Sequence, residues 1–141
     1  MAMDILSPVL AMLVLTLAMI IVLVGSRLPI IIKNFPDLQA GKHSDELRQN
    51  IPVGMRNITD NHNHLFEQPV LFYATALYIH LAGHVDLIHV RCAWAYFGFR
   101  VVHSIVQATN NNVATRLIMF MGATLALAVM IVREAIVGLG G

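Results

Sequence analysis

QPVLFYATALYIHLAGHV, residues 68–85, carries no Asp, Glu, Lys or Arg, and it begins directly after Glu67. A run of this length, with its flanks, supplies the roughly 20 apolar residues that a helix needs to cross a bilayer. Uncharged or nearly uncharged runs also cover 5–26, 92–99 and 117–132. The chain therefore reads as one all-α, integral membrane four-helix domain over 1–141, with helices at about 5–32, 58–82, 86–109 and 113–138 and a long connection at 33–57. Of the 141 residues 57% are hydrophobic and 12% charged, against roughly a quarter charged in a soluble domain. A net charge of +1 without a Lys/Arg cluster excludes a nucleic-acid partner. The single Cys92 excludes an internal disulfide and a Cys-based zinc site. The start of the chain has no basic region, and its first apolar run exceeds a signal-peptide core, so it reads as a retained anchor. Lys33, Lys42, Arg48 and Arg56 in the first connection, with Arg27 and Arg116 at helix ends, place the connections 33–57 and 109–116 in the cytoplasm and both termini on the opposite side.

Within this multi-pass frame, charge inside helices is the informative feature. If the second and third helices form a hairpin with its tip near Gly83 and His84, residues whose numbers sum to about 167 share one depth, because both helices rise about 1.5 Å per residue. Glu67 then matches Arg100, His64 matches His103, and Asp60 matches Gln107. His89, Tyr96, Arg100, His103 and Gln107 form a polar stripe on the third helix, and Asp60, His64 and Glu67 form one on the second. Ionisable groups at membrane depth face a partner, a cavity or a substrate, so Glu67 and Arg100 are expected to pair. Such a pair either serves a site or fixes helix register. Arg27 reads equally as an interfacial anchor or a ligand contact. Pro29 and Pro69 are expected to kink their helices. The connection has room for a short interfacial helix at 44–50 and for a cover over the cytoplasmic mouth. Asn110, Asn111 and Asn112 read as turn and capping residues. His80 and His84 lack a nearby third ligand, so no metal site is assigned. Nucleophilic triads and phosphate loops are absent from the sequence.

The segment Asn61-His-Asn-His-Leu-Phe-Glu-Gln-Pro-Val-Leu-Phe72, with Arg100, His103 and Arg116 after it, resembles the MAPEG family, the membrane-associated proteins of eicosanoid and glutathione metabolism. The likeness is to a bacterial-type member near its prostaglandin E synthase and microsomal glutathione transferase branches. It covers all four helices. It implies a homotrimer with glutathione bound between subunits near the cytoplasmic face. Arg116 would be catalytic, stabilising the thiolate. Arg27, Arg56, Asn63, His64, Glu67, Arg100, His103 and Gln107 would bind glutathione. The chain departs from the family pattern at Asp60, where the family has arginine, at His64, where it has asparagine, and at Gln107, where the prostaglandin synthase has tyrosine. Pro69 also follows Glu67 more closely.

The reading is a glutathione-dependent transferase or peroxidase acting on hydrophobic small-molecule electrophiles that arrive through the lipid bilayer. The alternative is a non-catalytic trimer binding another small ligand or partner. A proton-coupled transporter built on Glu67 ranks below both, because Arg100 at equal depth would hold Glu67 ionised.

Overall fold

The computed structural model describes residues 4–34 and 52–139. Four helices follow one another, α1 (Leu6–Asn34), α2 (Val53–Leu81), α3 (Leu87–Ala108) and α4 (Val113–Leu139), with no strand among the described residues. The candidate interfacial helix at 44–50, with Lys42 and Arg48, lies outside the described residues.

Local chemistry fixes the helix ends. Asp4 Oδ1 accepts from the Leu6 N–H at 2.8 Å and caps α1. Helix α2 starts at Val53 and not near 58. Pro52 sits at its N-cap with φ −54°, where a missing N–H removes nothing, since first-turn donors have no partner within the helix. What reads in sequence as loop punctuation thus opens a helix, and Arg56 and Asn57 fall on its first turns. At the other end Gly83 takes φ +74°. The His84 N–H bonds to the Ile79 carbonyl at 3.1 Å and the Gly83 N–H to the His80 carbonyl at 3.2 Å, a left-handed stop that a residue with a Cβ would resist. Asp86 caps α3 by accepting from the His89 N–H at 2.8 Å. In the second turn Asn111 is left-handed (φ 50°), and Asn112 Oδ1 accepts from the Thr115 N–H at 3.0 Å to cap α4.

The α2–α3 hairpin is the centre of the bundle. On α2 the buried residues Asn61, Leu65, Pro69, Phe72, Ala76 and Ile79 repeat at helical spacing. On α3 they are His89, Ala93, Tyr96, Arg100, His103, Ser104 and Gln107. Phe72 stacks on Tyr96 with ring centroids 4.3 Å apart and planes 7° from parallel. Helix α1 covers the hairpin with Pro8, Val9, Met12 and Thr16 and the preceding Ile5, and α4 with Ala123, Ala126, Leu127, Met130 and Glu134. Leu17, Ile21, Val22 and Val24 on α1, and Leu117, Ile118, Met121 and Leu125 on α4, point outward, forming apolar surface of the kind a bilayer covers.

Among the described residues two helices carry a segment apolar enough to cross a membrane on composition alone, Leu6–Ser26 and Val113–Gly138. Helices α2 and α3 do not reach that level, because α2 carries Asp60, Asn61, His62, Asn63, His64, Glu67 and Gln68 and α3 carries His89, Arg91, Arg100, His103 and Gln107. Their lengths, roughly 43 and 33 Å at 1.5 Å per residue, still match a bilayer.

A polar cluster ties the hairpin tip to α4. His84 Nδ1 lies 2.9 Å from Glu134 Oε2, His89 Nδ1 donates to the His84 carbonyl at 3.1 Å, and Arg133 pairs with Asp86. The His89 backbone N–H, aided by charge on His89 and Arg133, holds the Asp86 carboxyl below its ordinary value of 3.8. A group depressed on folding stabilises the fold above its unfolded value and loses that contribution as pH falls through the folded one. Asp86→Asn retains a capping amide but does not titrate. Its thermal-stability deficit relative to the parent, measured in detergent, should therefore be full at neutral pH and shrink as pH falls below about 4.

Close packing of α3 on α4 depends on Gly122, where an added Cβ would stand 2.7 Å from the Phe99 ring. Gly122→Ala should lower stability by about 1 to 3 kcal/mol through overpacking. Adding Phe99→Leu should recover part of the loss in the same thermal assay.

Candidate functional site

At the end of the bundle away from the tip, His64, His103, Val113, Arg116, Leu117 and Phe120 line a cleft of about 230 Å³. Helix α2 supplies His64, α3 supplies His103, and the first turns of α4 supply the rest. The lining is mainly apolar, with one cation and two imidazoles. Val113 and Leu117 are exposed, so the cleft opens on the outer face of the subunit.

Arg116 is held from several sides. His103 Nδ1 donates to the Arg116 carbonyl at 3.1 Å, which leaves Nε2 of the neutral ring as an acceptor. The Gln107 amide satisfies it with its NH2 group at 3.0 Å, so that the Gln107 oxygen accepts from Arg116 Nη2 at 3.3 Å and from the Asn61 N–H at 3.2 Å. Arg116 Nη1 donates to Asn111 Oδ1 at 2.5 Å. Asn111 Nδ2 in turn donates to Asn57 Oδ1 at 2.9 Å. Of the five guanidinium N–H donors, the buried Nε–H has no partner among the described residues, and one on each Nη is uncommitted in these bonds. The cation is oriented but not saturated.

The depth count locates some pairs and misses others. His64 and His103 do meet, with ring centroids 6.2 Å apart and planes near perpendicular. Gln107 reaches the backbone of Asn61, the neighbour of Asp60. The expected ion pair of Glu67 with Arg100 is not formed. Arg100 is fully buried and its Nη2 donates to the His64 carbonyl at 2.7 Å. Glu67, with a side chain 69% exposed, bonds His64 Nδ1 at 3.2 Å. Equal depth fixes height but not direction around the helix. Glu67 lies two residues from buried Leu65, about 200° away at 100° per residue, and so faces outward. The stripe of Asp60, His64 and Glu67 flanks the hairpin contact, which runs instead through Asn61, Leu65 and Phe72. The argument that Arg100 keeps Glu67 ionised falls with the pair.

Of the other sequence candidates, His103 and Gln107 are buried and spend their polar atoms on Arg116 and each other. Asn63 is exposed, and neither it nor Arg56 lines the cleft. Arg27 belongs to α1, but its side chain lies outside the described residues. Sequence reasoning missed Asn57 and Asn111 as partners of Arg116. The only available signal was the placement of Asn111 five residues before Arg116, which turn chemistry alone accounts for. No group of three His, Cys, Asp or Glu among the described residues is placed to hold a metal.

The model of the MAPEG family matches the chain over residues 5–136. No curated protein and no solved structure matches it.

Because Glu67 and Arg100 make separate contacts, Glu67→Gln should change stability by less than about 0.5 kcal/mol. Its effect should add to that of Arg100→Met within about 0.5 kcal/mol when thermal stability is measured in detergent. Recovery in the double variant would reinstate a direct pair.

Proposed function

The chain belongs to the MAPEG family, a family of integral membrane proteins of eicosanoid and glutathione metabolism, and on that premise we propose that it is a homotrimeric, glutathione-dependent transferase or peroxidase acting on hydrophobic electrophiles. The observation that carries this reading is the cleft itself, where an oriented Arg116 with uncommitted donors stands beside His64 and the apolar Val113, Leu117 and Phe120. A tripeptide thiol needs a cation near its sulfur and an apolar approach for the second substrate. Both lie on one wall.

In this mechanism Arg116 favours the thiolate by placing positive charge beside it, and the thiol proton passes to solvent. As a transferase, the sulfur forms a bond to an electrophilic carbon and the leaving group departs with its electron pair. As a peroxidase, sulfur attacks a hydroperoxide oxygen, the alcohol leaves, and a second glutathione closes the disulfide with release of water. Exposed Glu67 at the outer face, together with the uncovered apolar halves of α1 and α4, suits a cleft completed by a neighbouring subunit, with Glu67 holding the peptide and Arg27 and Arg56 meeting carboxylates. The connections 33–57 and 109–116 then face the cytoplasm, and the hydrophobic substrate enters from the bilayer.

Mixing the detergent-purified protein with glutathione should raise thiolate absorbance near neutral pH, with saturable binding, and Arg116→Leu should abolish the rise. Equal signals in both proteins would reduce Arg116 to an interfacial anchor. Absence of binding in the parent would leave a non-catalytic trimer.

A further inference from the structure

Asn111 does more than turn the chain. It sits in the left-handed region (φ 50°) at the end of α3, and its N–H bonds to the Val106 carbonyl at 2.8 Å. Glycine meets that backbone demand as well as asparagine does. The side chain, however, is used at both ends. Its oxygen accepts from Arg116 Nη1 at 2.5 Å, while its NH2 group donates to Asn57 Oδ1 on α2 at 2.9 Å. Only a primary amide offers an acceptor and a donor in this arrangement. Aspartate cannot donate to Asn57, and glycine can do neither.

We propose that Asn111 is a positioning residue for Arg116, coupling the guanidinium to α2 through Asn57 so that the two walls of the cleft, His64 on α2 and Arg116 on α4, are held at a fixed separation. The inference rests on the reading of Arg116 as the group beside the thiolate. Gln107 and His103 complete the support from α3, on Nη2 and on the backbone carbonyl respectively. The guanidinium is therefore braced by two side chains from outside its own helix, Gln107 on α3 and Asn111 in the turn, while His103 holds the backbone beneath it. With Asn111 removed, Nη1 loses its acceptor and the charge swings relative to the sulfur, although the residue itself touches no substrate.

The test compares Asn111→Gly, Asn111→Ala and Arg116→Leu with the parent as full-length proteins in detergent with saturating glutathione. Two quantities are read, the pH at which the thiolate absorbance appears and the thermal midpoint. Arg116→Leu should lose the thiolate signal at neutral pH. Asn111→Gly and Asn111→Ala should show the same shift of the thiolate midpoint, about one unit toward higher pH as a nearby positive charge moves away. Their thermal midpoints should differ, since alanine adds strain at a positive φ and glycine does not. Asn57→Ala, which leaves the turn intact, should shift the thiolate midpoint in the same direction by a smaller amount. An Asn111→Gly protein with the parent's thiolate midpoint, beside an Arg116→Leu protein that has lost the signal, overturns the positioning role and leaves the thiol reading standing. An Arg116→Leu protein that titrates like the parent overturns the thiol reading, and the positioning role with it.

Discussion

The bond from the fully buried Arg100 guanidinium to the His64 carbonyl, 2.7 Å long, is the constraint on which the hairpin depends. The acceptor is a backbone carbonyl and not a carboxylate, and Arg100 Nε and Nη1 have no partner among the described residues, so one bond carries the polar attachment of a cation whose burial is costly. Pro69 lies just beyond, where it removes the N–H that would otherwise bond the Leu65 carbonyl. Helix α2 is thus weakest in its own hydrogen-bond ladder beside the point where α3 grips it. The grip sets the relative height of the helices. With that height fixed, Phe72 stacks on Tyr96 toward the tip and His64 faces His103 toward the cleft.

The two ends of the bundle are built differently. At the tip all four helices contribute buried side chains, and polar groups close on one another through His84, His89, Glu134, Asp86 and Arg133. At the other end α1 and α4 turn apolar surface outward, and the polar groups converge on Arg116 while leaving part of it unpaired. Buried polar atoms without a partner among the described residues occur at both ends, His89 Nε2, Arg133 Nε and Glu134 Oε1 near the tip and Arg116 Nε near the cleft. The incomplete bonding of Arg116 suits the proposed chemistry, since a saturated guanidinium offers nothing to bind.

The α3 stripe was legible from spacing alone, because polar residues at intervals of 3, 4 and 7 on a long apolar helix have one face to share and burial is the only economical use of it. The α2 stripe was misread for a related reason. Asp60, His64 and Glu67 satisfy the same spacing test as Asn61, Leu65 and Pro69, and hydrophobic contrast between two faces is small in a helix whose outer side also meets apolar surroundings. Periodicity found a face in each case without saying which face the neighbour would cover. The bonds that His103 and Gln107 make to Arg116 were not legible for a similar reason. Residue type marked them as polar groups beside Arg116, but a ligand contact and a brace draw on the same chemistry.

By itself the sequence determined the four apolar helices, the turns at Gly83 and Asn110–Asn112, the burial of the α3 polar stripe and the family to which the chain belongs. Each follows from local chemistry or from a pattern extended along one helix. Only the tertiary structure decided that Arg100 meets a carbonyl and not Glu67, and that Asn57 and Asn111 link α2 and the turn to Arg116. These contacts depend on how each helix is rotated about its axis. That rotation is set by the summed packing of side chains such as Phe72, Tyr96, Phe99 and Gly122, and not by any spacing along the chain.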